Sequence, residues 1–169
     1  MVVAAGRAFT PVDMAAVYEA CRDEDIQFYT PVPVPVPYRR ADAEKRIGEE
    51  LPAGWATDKR CTLGAFRRDS GAPVGSYCLF VISPGVYELG YWAVKEQRGR
   101  GYSVEAARAL CDWGWATLDV DRIERWAMVG NTGSRAVAEK LGYTVEGTLP
   151  QLRHRQRWQS RTTGGWAGS

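Results

Sequence analysis

The chain has 169 residues, of which 45% are hydrophobic and 25% are charged, and its formal net charge is +2 at pH 7. These proportions are ordinary for a globular protein, so they exclude a fibrous repeat and a disordered chain. The length predicts a single domain over residues 1–169, and the small net charge gives no support for nucleic-acid binding.

The first half of the chain predicts two helices separated by a loop. Residues 10–22 begin with a Thr-Pro pair and carry apolar side chains at helical spacing, which predicts the first helix. Residues 31–37 contain four prolines, which remove backbone donors, so a loop is expected there. From residue 39 to about residue 51, apolar side chains recur every four positions and predict an amphipathic second helix.

Strands and helices are then predicted in alternation. Residues 61–66 and 74–82 flank a turn-rich segment, so they predict an antiparallel hairpin. Residues 87–94 predict a further strand that leads directly into a segment rich in Arg and Gly. The remaining expected elements are a helix over 103–118, a strand over 122–129, a short helix over 131–141 closed by Gly142, and strands from Tyr143 onward.

The segment Arg98-Gly-Arg-Gly-Tyr-Ser103 lies where the predicted strand ends and the predicted helix begins. Backbone N–H groups at the start of a helix attract anions. The glycines Gly99 and Gly101 let the backbone approach phosphate oxygens without a Cβ, while Arg98 and Arg100 add positive charge. The segment therefore predicts a phosphate site, although a glycine-rich turn can also be no more than a turn.

Two other phosphate-binding motifs do not fit this chain. The P-loop spacing G-x-x-x-x-G-K-[ST] is absent from the sequence. A dinucleotide-binding fingerprint would need a third glycine where Val104 stands, and its repeated parallel units conflict with the antiparallel hairpin that comes first here. The phosphate site is therefore not assigned to either class of nucleotide-binding protein.

Four motifs occur in order along the chain: Glu88-Leu-Gly-Tyr-Trp92, Arg98-x-x-Gly101-x-Ser103, Asn131-x-x-Ser134 and Glu139-Lys-Leu-Gly-Tyr143. Together they resemble the GNAT superfamily of acyltransferases, and within it the branch similar to the RimJ/RimL ribosomal-protein N-acetyltransferases. The resemblance runs from the first helix to residues 166–168. One position departs from the family's pattern, because Ser103 stands where Gly or Ala is usual, and a small residue still fits there.

The resemblance implies an α/β (α+β) GNAT fold with a mixed, mostly antiparallel, splayed sheet of about six to seven strands and about four flanking helices. It also implies acetyl-CoA or another acyl-CoA as co-substrate and no metal. The residues implied in binding the coenzyme are Trp92, Ala93 and Val94 along the pantetheine arm, Arg98, Gly99, Arg100, Gly101, Tyr102 and Ser103 around the pyrophosphate, and Asn131 beside the pantetheine.

In the family that the motifs resemble, an amine attacks the thioester directly within a ternary complex, and two catalytic candidates are considered: Ser134 from the family pattern, and Glu88 as the best carboxylate on the strand that leads into the site. Ser134 is the candidate that protonates or stabilises the departing thiolate. Asn131 and Ser134 could instead serve only the first turn of their helix, as cap and N3 residue. Glu88 is the candidate general base, although it could also face solvent or pair with an arginine.

The basicity of the amine bears on the acceptor. An α-amino group with a pKa of about 7.7–8.0 is roughly one-tenth neutral at pH 7, whereas a lysine side chain at about 10.4 is neutral in well under one molecule in a thousand. A protein or peptide N-terminal α-amine is therefore favoured, with aminoglycosides or amino acids as the alternative. Phe28, Tyr29 and Pro33 are candidates to line the acceptor pocket, and core packing explains them equally well.

Several other features set the expected location and partners. The four cysteines contain no C-x-x-C pair, which favours buried, reduced thiols. No apolar run approaches the roughly 18 residues of a membrane helix, and the first residues lack the pattern of a secretory leader. We therefore expect a cytoplasmic protein without a membrane partner.

Two other functions are considered as alternatives to an acyltransferase. One is a non-catalytic acyl-CoA-binding or sensing module that retains the coenzyme site. The other is nucleic-acid binding through Arg153, Arg155 and Arg157, which is not favoured because the run is short. His154, the single histidine, is expected to be a solvated strand residue, and a homodimer is left open.

Overall fold

The computed structural model of the chain describes residues 6–30, 34–149 and 157–163. Six α-helices are defined within these ranges: α1 (Met14–Ala20), α2 (Glu24–Tyr29), α3 (Arg40–Lys45), α4 (Leu51–Ala56), α5 (Tyr102–Thr117) and α6 (Thr132–Lys140). The strands are β1 (Arg60–Phe66), β2 (Pro73–Ser83), β3 (Val86–Ala93), β4 (Arg122–Met128), β5 (Thr144–Leu149) and β6 (Arg157–Thr163). Short 3-10 turns cover Pro11–Asp13 and Lys95–Gln97, and a π-helical turn covers Arg46–Glu50.

The six strands form one mixed sheet in the order β1-β2-β3-β4-β6-β5. Every neighbouring pair is antiparallel except β3 and β4, which run parallel. That parallel ladder consists of three residue pairs: Val86 with Arg122, Tyr87 with Ile123, and Glu88 with Glu124. Beyond Glu88 and Glu124 the two strands separate, so the sheet splays open. The predicted mixed, mostly antiparallel, splayed sheet is confirmed.

Two apolar clusters pack on opposite faces of the sheet, because neighbouring side chains on a strand point to opposite sides. On one face Leu89 and Ile123 pack with Leu110 of α5. On the other face Trp92 packs with residues of the helices that precede the sheet, among them Val17 and Ile47. All four cysteines are buried and free, as expected for reduced thiols.

The predicted second helix is present but is interrupted by the π-helical turn. The N–H of Leu51 donates to the carbonyl of Arg46, five residues earlier, instead of four. Pro52 provides the physical reason, because it has no N–H and its ring would collide with the carbonyl of Gly48 in a regular α-helix. A wider turn avoids that collision, and such turns are frequent at functional sites.

Helix α2 is absent from the sequence-based prediction. Asp23 caps its start by accepting a hydrogen bond of 3.1 Å from the N–H of Ile26, and Glu24 and Asp25 lie in its first turn. The acidic run of these three residues is an N-terminal helix signal that periodicity alone does not detect in so short a segment. Phe28 and Tyr29, the predicted acceptor residues, therefore lie on a helix.

The remaining predicted elements agree with the structure to within a few residues. Gly142 ends α6 in the left-handed region at φ 80°, as its position predicts. Strands β5 and β6 confirm the expected return to strands after Tyr143. His154, Arg153 and Arg155 lie outside the described residues. Among the helices of the described ranges, none is both long and apolar enough to span a membrane.

Candidate active site

The opening between β3 and β4 holds a cavity of about 450 Å³, which we call the gap cavity. Five parts of the chain build its walls: α2, the end of β3, the glycine-rich loop with the start of α5, β4, and the start of α6. Their lining residues include Asp25 and Tyr29, then Tyr91, Trp92 and Ala93, then Gly99, Gly101, Tyr102 and Ser103, then Arg125, and then Asn131 and Ser134. The cavity thus brings together most of the predicted coenzyme residues.

The edge of β3 that faces the gap carries backbone groups that β4 does not use. The N–H of Val94 donates to the carbonyl of Val74 on β2 at 2.8 Å. Because peptide groups alternate in direction along an antiparallel strand, the backbone of Tyr91 and Ala93 faces away from β2 and into the gap. An extended ligand arm could pair with the Tyr91 groups and the Ala93 N–H as an added strand, while the Ala93 carbonyl accepts Nε of Arg98. Trp92 and Val94 turn their backbone towards β2 instead.

The glycine-rich loop has the backbone geometry of an anion site. Gly99 and Gly101 lie in the left-handed region at φ 75° and 83°, and a Cβ at either position would meet no atom within 4 Å. The carbonyl of Gly101 accepts the N–H groups of Val104 and Glu105 at 3.1 and 3.2 Å. The N–H groups of Tyr102 and Ser103 precede this first bond, so they are available to an anion.

The side chain of Arg98 does not add free positive charge to this loop. Its guanidinium contacts Asp23 at 2.6 Å and Asp25 at 2.7 Å, and its Nε donates to the carbonyl of Ala93 at 3.1 Å. The carboxylates of the α2 cap residue and of its first turn therefore neutralise the charge, and Arg98 joins the loop to α2 and β3. The expectation that Arg98 contributes charge at the rim is corrected, whereas Arg100 is exposed on the loop.

Removing this link should change how the protein responds to acid. Burial raises the pKa of Asp23, but hydrogen bonds from Arg98 and from the Ile26 N–H hold it below its usual value. Ionised Asp23 therefore stabilises the fold above the ordinary aspartate pKa of about 3.9, and this stabilisation is lost as the pH falls through the lower folded-state pKa. In Arg98→Met the free energy of unfolding should fall less between neutral and acidic pH than in the parent.

Urea unfolding of the parent and Arg98→Met at pH 7 and at about pH 3 measures this difference. Arg135→Met is the matched control, because Arg135 is exposed and pairs only with Glu139 of its own helix among the described residues. Equal losses of stability in all three proteins would show that the Arg98 link does not set the pKa of Asp23.

Ser103 and Tyr102 turn their side chains into the core. The Ser103 hydroxyl hydrogen-bonds the Tyr77 hydroxyl at 2.9 Å, and Tyr102 is buried in the cluster under α5. The serine that departs from the family's pattern thus has a structural partner of its own. Both residues line the gap cavity, and the predicted phosphate contact would lie at their backbone N–H groups.

Ser134 lies at the other end of the gap cavity, in the first turn of α6, and is 5% exposed. Its N–H donates to the Asn131 side chain at 3.1 Å, which confirms Asn131 as the helix cap. Its hydroxyl accepts a hydrogen bond of 3.1 Å from Nε of Arg125 and hydrogen-bonds the Tyr91 hydroxyl at 3.0 Å. The cap therefore holds Ser134 while its hydroxyl remains on the cavity wall.

Arg125 is a functional candidate that sequence reasoning missed. It is 1% exposed, its guanidinium lies 4.6 Å from the centre of the Tyr91 ring, and it donates to its neighbour's carbonyl at 2.8 Å. The sequence does contain a signal for it, because Arg125 lies between Ile123 and Ala127, two core positions on the same face of the strand. A charge at such a position is rare unless it is paired.

Glu88 pairs with Arg125 instead of lining the cavity. Its Oε1 lies 3.8 Å from the Arg125 guanidinium, at the closed end of the gap where the β3–β4 ladder stops. The interpretation in which Glu88 pairs with an arginine therefore agrees with the structure. Its role as a general base stays a prediction.

A second cavity, of about 290 Å³, lies on the face of the sheet that carries α1 and α3. It shares Thr30, Tyr91 and Trp92 with the gap cavity. Of the predicted acceptor residues, Tyr29 lines the gap cavity, Phe28 is 47% exposed, and Pro33 lies outside the described residues. Within the described part of the chain, no cluster of three or more His, Cys, Asp or Glu side chains could hold a metal ion.

The splayed sheet, the glycine-rich loop at the start of α5 and the cavity between the parted strands define an acetyltransferase class of fold. A sequence model described as the acetyltransferase (GNAT) domain matches residues 7–144. The chain belongs to the GNAT acetyltransferase family, as its motifs predict. The predicted enzyme class, an acyl-CoA-dependent N-acyltransferase, agrees with this membership.

Two curated relatives come from Bacillus subtilis (strain 168). The chain is similar to the putative ribosomal N-acetyltransferase YdaF, with 42% identity over 60 residues, which are 36% of this chain and 33% of that protein. It is also similar to the probable N-acetyltransferase YjcK, with 33% identity over 113 residues, 65% of this chain and 62% of that protein. The matched segments thus span less than two thirds of either relative.

Two solved structures share the fold over nearly the whole chain. One is a RimL ribosomal L7/L12 α-N-protein acetyltransferase in complex with coenzyme A, with a TM-score of 0.83, 17% identity, and coverage of 96% of this chain and 94% of that chain. The other is a GNAT-family acetyltransferase from Bacillus anthracis, with a TM-score of 0.81, 22% identity, and coverage of 96% and 98%. At these identities the likeness concerns the fold.

Proposed function

We propose that this protein is an N-acyltransferase that moves an acetyl or other acyl group from acyl-CoA to a primary amine, by direct attack within a ternary complex. The observation that carries the proposal is the gap cavity, whose walls hold the glycine-rich loop, the edge of β3 that β4 does not pair with, and the Ser134 hydroxyl. Membership of the GNAT family supports the same reaction.

The walls of the gap fit the coenzyme. The N–H groups of Tyr102 and Ser103, next to Gly101, would bind its pyrophosphate, and the backbone edge at Tyr91 and Ala93 would bind its pantetheine arm. When bound, acyl-CoA supplies a thioester that an amine can attack and a thiolate that can leave. The chain contributes by holding both reactants in line, which can be worth about 7 kcal/mol or more.

Ser134 and Arg125 are the residues that we propose assist the departing sulfur. Arg125 donates to the Ser134 oxygen, so the hydroxyl proton of Ser134 is free to point elsewhere, to Tyr91 or to a group in the cavity. The buried positive charge behind the hydroxyl favours negative charge in front of it. We propose that Ser134 donates a proton or a hydrogen bond to the thiolate, and that Arg125 supports Ser134 by donating to its hydroxyl oxygen.

The acceptor we propose is a weakly basic α-amine, at the N-terminus of a peptide or protein or in a small molecule. Among the described residues that line the gap cavity, Asp25 is the single carboxylate, and Arg98 binds it. A site of this kind works best on an amine that is already partly neutral. The shared fold of an L7/L12 α-N-protein acetyltransferase is in keeping with such an acceptor.

Thiol release tests this function. We expect the protein to release free thiol from acetyl-CoA in the presence of short peptides with a free α-amine. Nα-acetyl-lysine, which offers only a side-chain amine, should react about 100-fold more slowly at pH 7, because far less of it is neutral. Binding of coenzyme A without thiol release for any amine would identify a sensing module instead, and faster reaction of the lysine derivative would overturn the α-amine preference.

A further inference from the structure

The second cavity is placed to hold the acceptor, if the proposed function is correct. It shares Thr30, Tyr91 and Trp92 with the gap cavity, so the two cavities adjoin at β3. Direct attack requires the amine and the thioester to meet in line, and this shared wall is where ligands of the two cavities would meet. We propose that the second cavity binds the acceptor and that Arg46 there binds a carboxylate group which the acceptor carries near its amine.

Four charged side chains stand on the wall of the second cavity: Asp42, Lys45, Arg46 and Glu50. Asp42 is already engaged, because its carboxylate accepts the backbone N–H of Arg39 at 2.7 Å. Lys45 is exposed, and the Glu50 side chain is 50% exposed. Arg46 differs from them, because only 19% of its side chain is exposed.

The guanidinium of Arg46 has more donors than partners. Among the described residues its one ion-pair or hydrogen-bond contact is Glu50, at 3.7 Å, which is longer than a hydrogen bond. Cys21 and Tyr38 on the same wall do not neutralise it, because burial raises the pKa of Cys21 to about 11 and raises that of Tyr38 as well. The Arg46 guanidinium thus keeps N–H donors for a ligand, on a wall whose two carboxylates are Asp42, which accepts the Arg39 N–H, and Glu50, which lies 3.7 Å away.

A carboxylate is the ligand that such a group binds best, because the guanidinium fork can hold both of its oxygens. The backbone also supports this role, since Arg46 is the first residue of the π-helical turn that Pro52 imposes. At this position Arg46 is partly buried, whereas Lys45 before it is exposed.

The size of the cavity and its apolar walls limit the acceptor. About 290 Å³ suits one or two amino-acid residues, and Val34, Phe80 and Trp92 offer apolar contacts to a side chain. The class of acceptor is therefore a free α-amino acid, or a peptide terminus with an acidic residue at its first or second position.

During transfer the amine nitrogen forms the new C–N bond and the C–S bond breaks. The surplus amine proton passes to the departing sulfur or to water, and the carboxylate stays unchanged.

Binding to the protein saturated with coenzyme A tests the proposal without relying on turnover. The probes are the free α-amino acids paired with their amides, and dipeptide amides that begin with Asp paired with the same dipeptides beginning with Asn. In the parent, the acid of at least one pair should bind better than its uncharged partner. In Arg46→Gln, affinity for that acid should fall about 10- to 100-fold, as expected for a lost charged hydrogen bond, while affinity for the partner changes less than about threefold.

The two kinds of probe separate the sources of the carboxylate. A preference confined to the free amino acids identifies a small acceptor, and a preference confined to Asp dipeptides identifies a peptide terminus. Arg46→Lys, which keeps the charge but not the fork, should recover part of the affinity. Arg135→Gln removes an exposed arginine elsewhere and should leave all pairs as in the parent.

Two results would overturn the inference: no acid that binds better than its partner in the parent, or equal losses for acid and partner in Arg46→Gln. Unchanged affinity of Arg46→Gln for coenzyme A shows that the variant is folded. Because these measurements need no acyl transfer, they remain informative if thiol release fails. Conversely, thiol release without any preference for acids would retain the proposed function and reject the role of Arg46.

Discussion

Replacing Ser134 by Ala is expected to lower kcat by about 100-fold or more, the size of effect that a positioned proton donor contributes. The hydroxyl is the one side-chain group on the wall of the gap cavity that Arg125 and Tyr91 both contact among the described residues. Affinity for coenzyme A should change little, because the loop and the β3 edge remain. Steady-state kinetics and calorimetric titration with coenzyme A measure the two quantities separately.

Ser70→Ala is the control for this substitution, since Ser70 lies exposed in the turn between β1 and β2. The thermal unfolding midpoint of Ser134→Ala must be recorded as well, because Arg125 loses an acceptor. A folded Ser134→Ala protein with kcat within about threefold of the parent would remove Ser134 from the mechanism, because a proton donor contributes far more than that.

Replacing Arg125 by Met should affect both stability and catalysis. Met has a similar length without charge, so the substitution leaves Glu88 buried without its arginine partner, at a cost of about 3–5 kcal/mol of unfolding free energy. Loss of the donor behind Ser134 should also lower kcat by about 100- to 1000-fold, as for a donor that stabilises developing charge. Urea unfolding and steady-state kinetics measure the two effects.

A double variant separates the two roles of Arg125. In Arg125→Met with Glu88→Gln the carboxylate that Arg125 pairs with is also removed, so much of the stability should return. The rate should stay low if Arg125 acts through Ser134. Recovery of kcat together with stability would show that Arg125 has a structural role only.

Local features of the fold were predictable from the sequence because neighbouring residues determine them. The glycines at 99 and 101, between an apolar strand and an amphipathic helix, determine the turn, and its observed φ angles need glycine. The burial of Ala43 and Ile47 likewise follows from their four-residue spacing. The effect of a single residue on helix geometry was harder to predict, as the π-helical turn before Pro52 illustrates.

Contacts between distant parts of the chain were not predictable in this way. Arg98 pairs with carboxylates more than 70 positions earlier, on a helix whose short length hid it from periodicity. Arg125 acquires its importance from Tyr91 and Ser134, which meet it only when the sheet splays. The motifs thus located the candidate active site, whereas the ion-pair and hydrogen-bond partners of its arginines depend on tertiary contacts.

The two cavities beside β3 are built from different parts of the sequence. Every described residue on the wall of the second cavity precedes Ala93, whereas most of the gap cavity is built from residue 91 onward. Substitutions in the first half, for example around the π-helical turn, can therefore reshape the second cavity without touching the loop, Arg125 or Ser134. In a chain organised like this, the ligand preference of the second cavity can change through substitutions while the gap cavity on the other side of β3 stays the same.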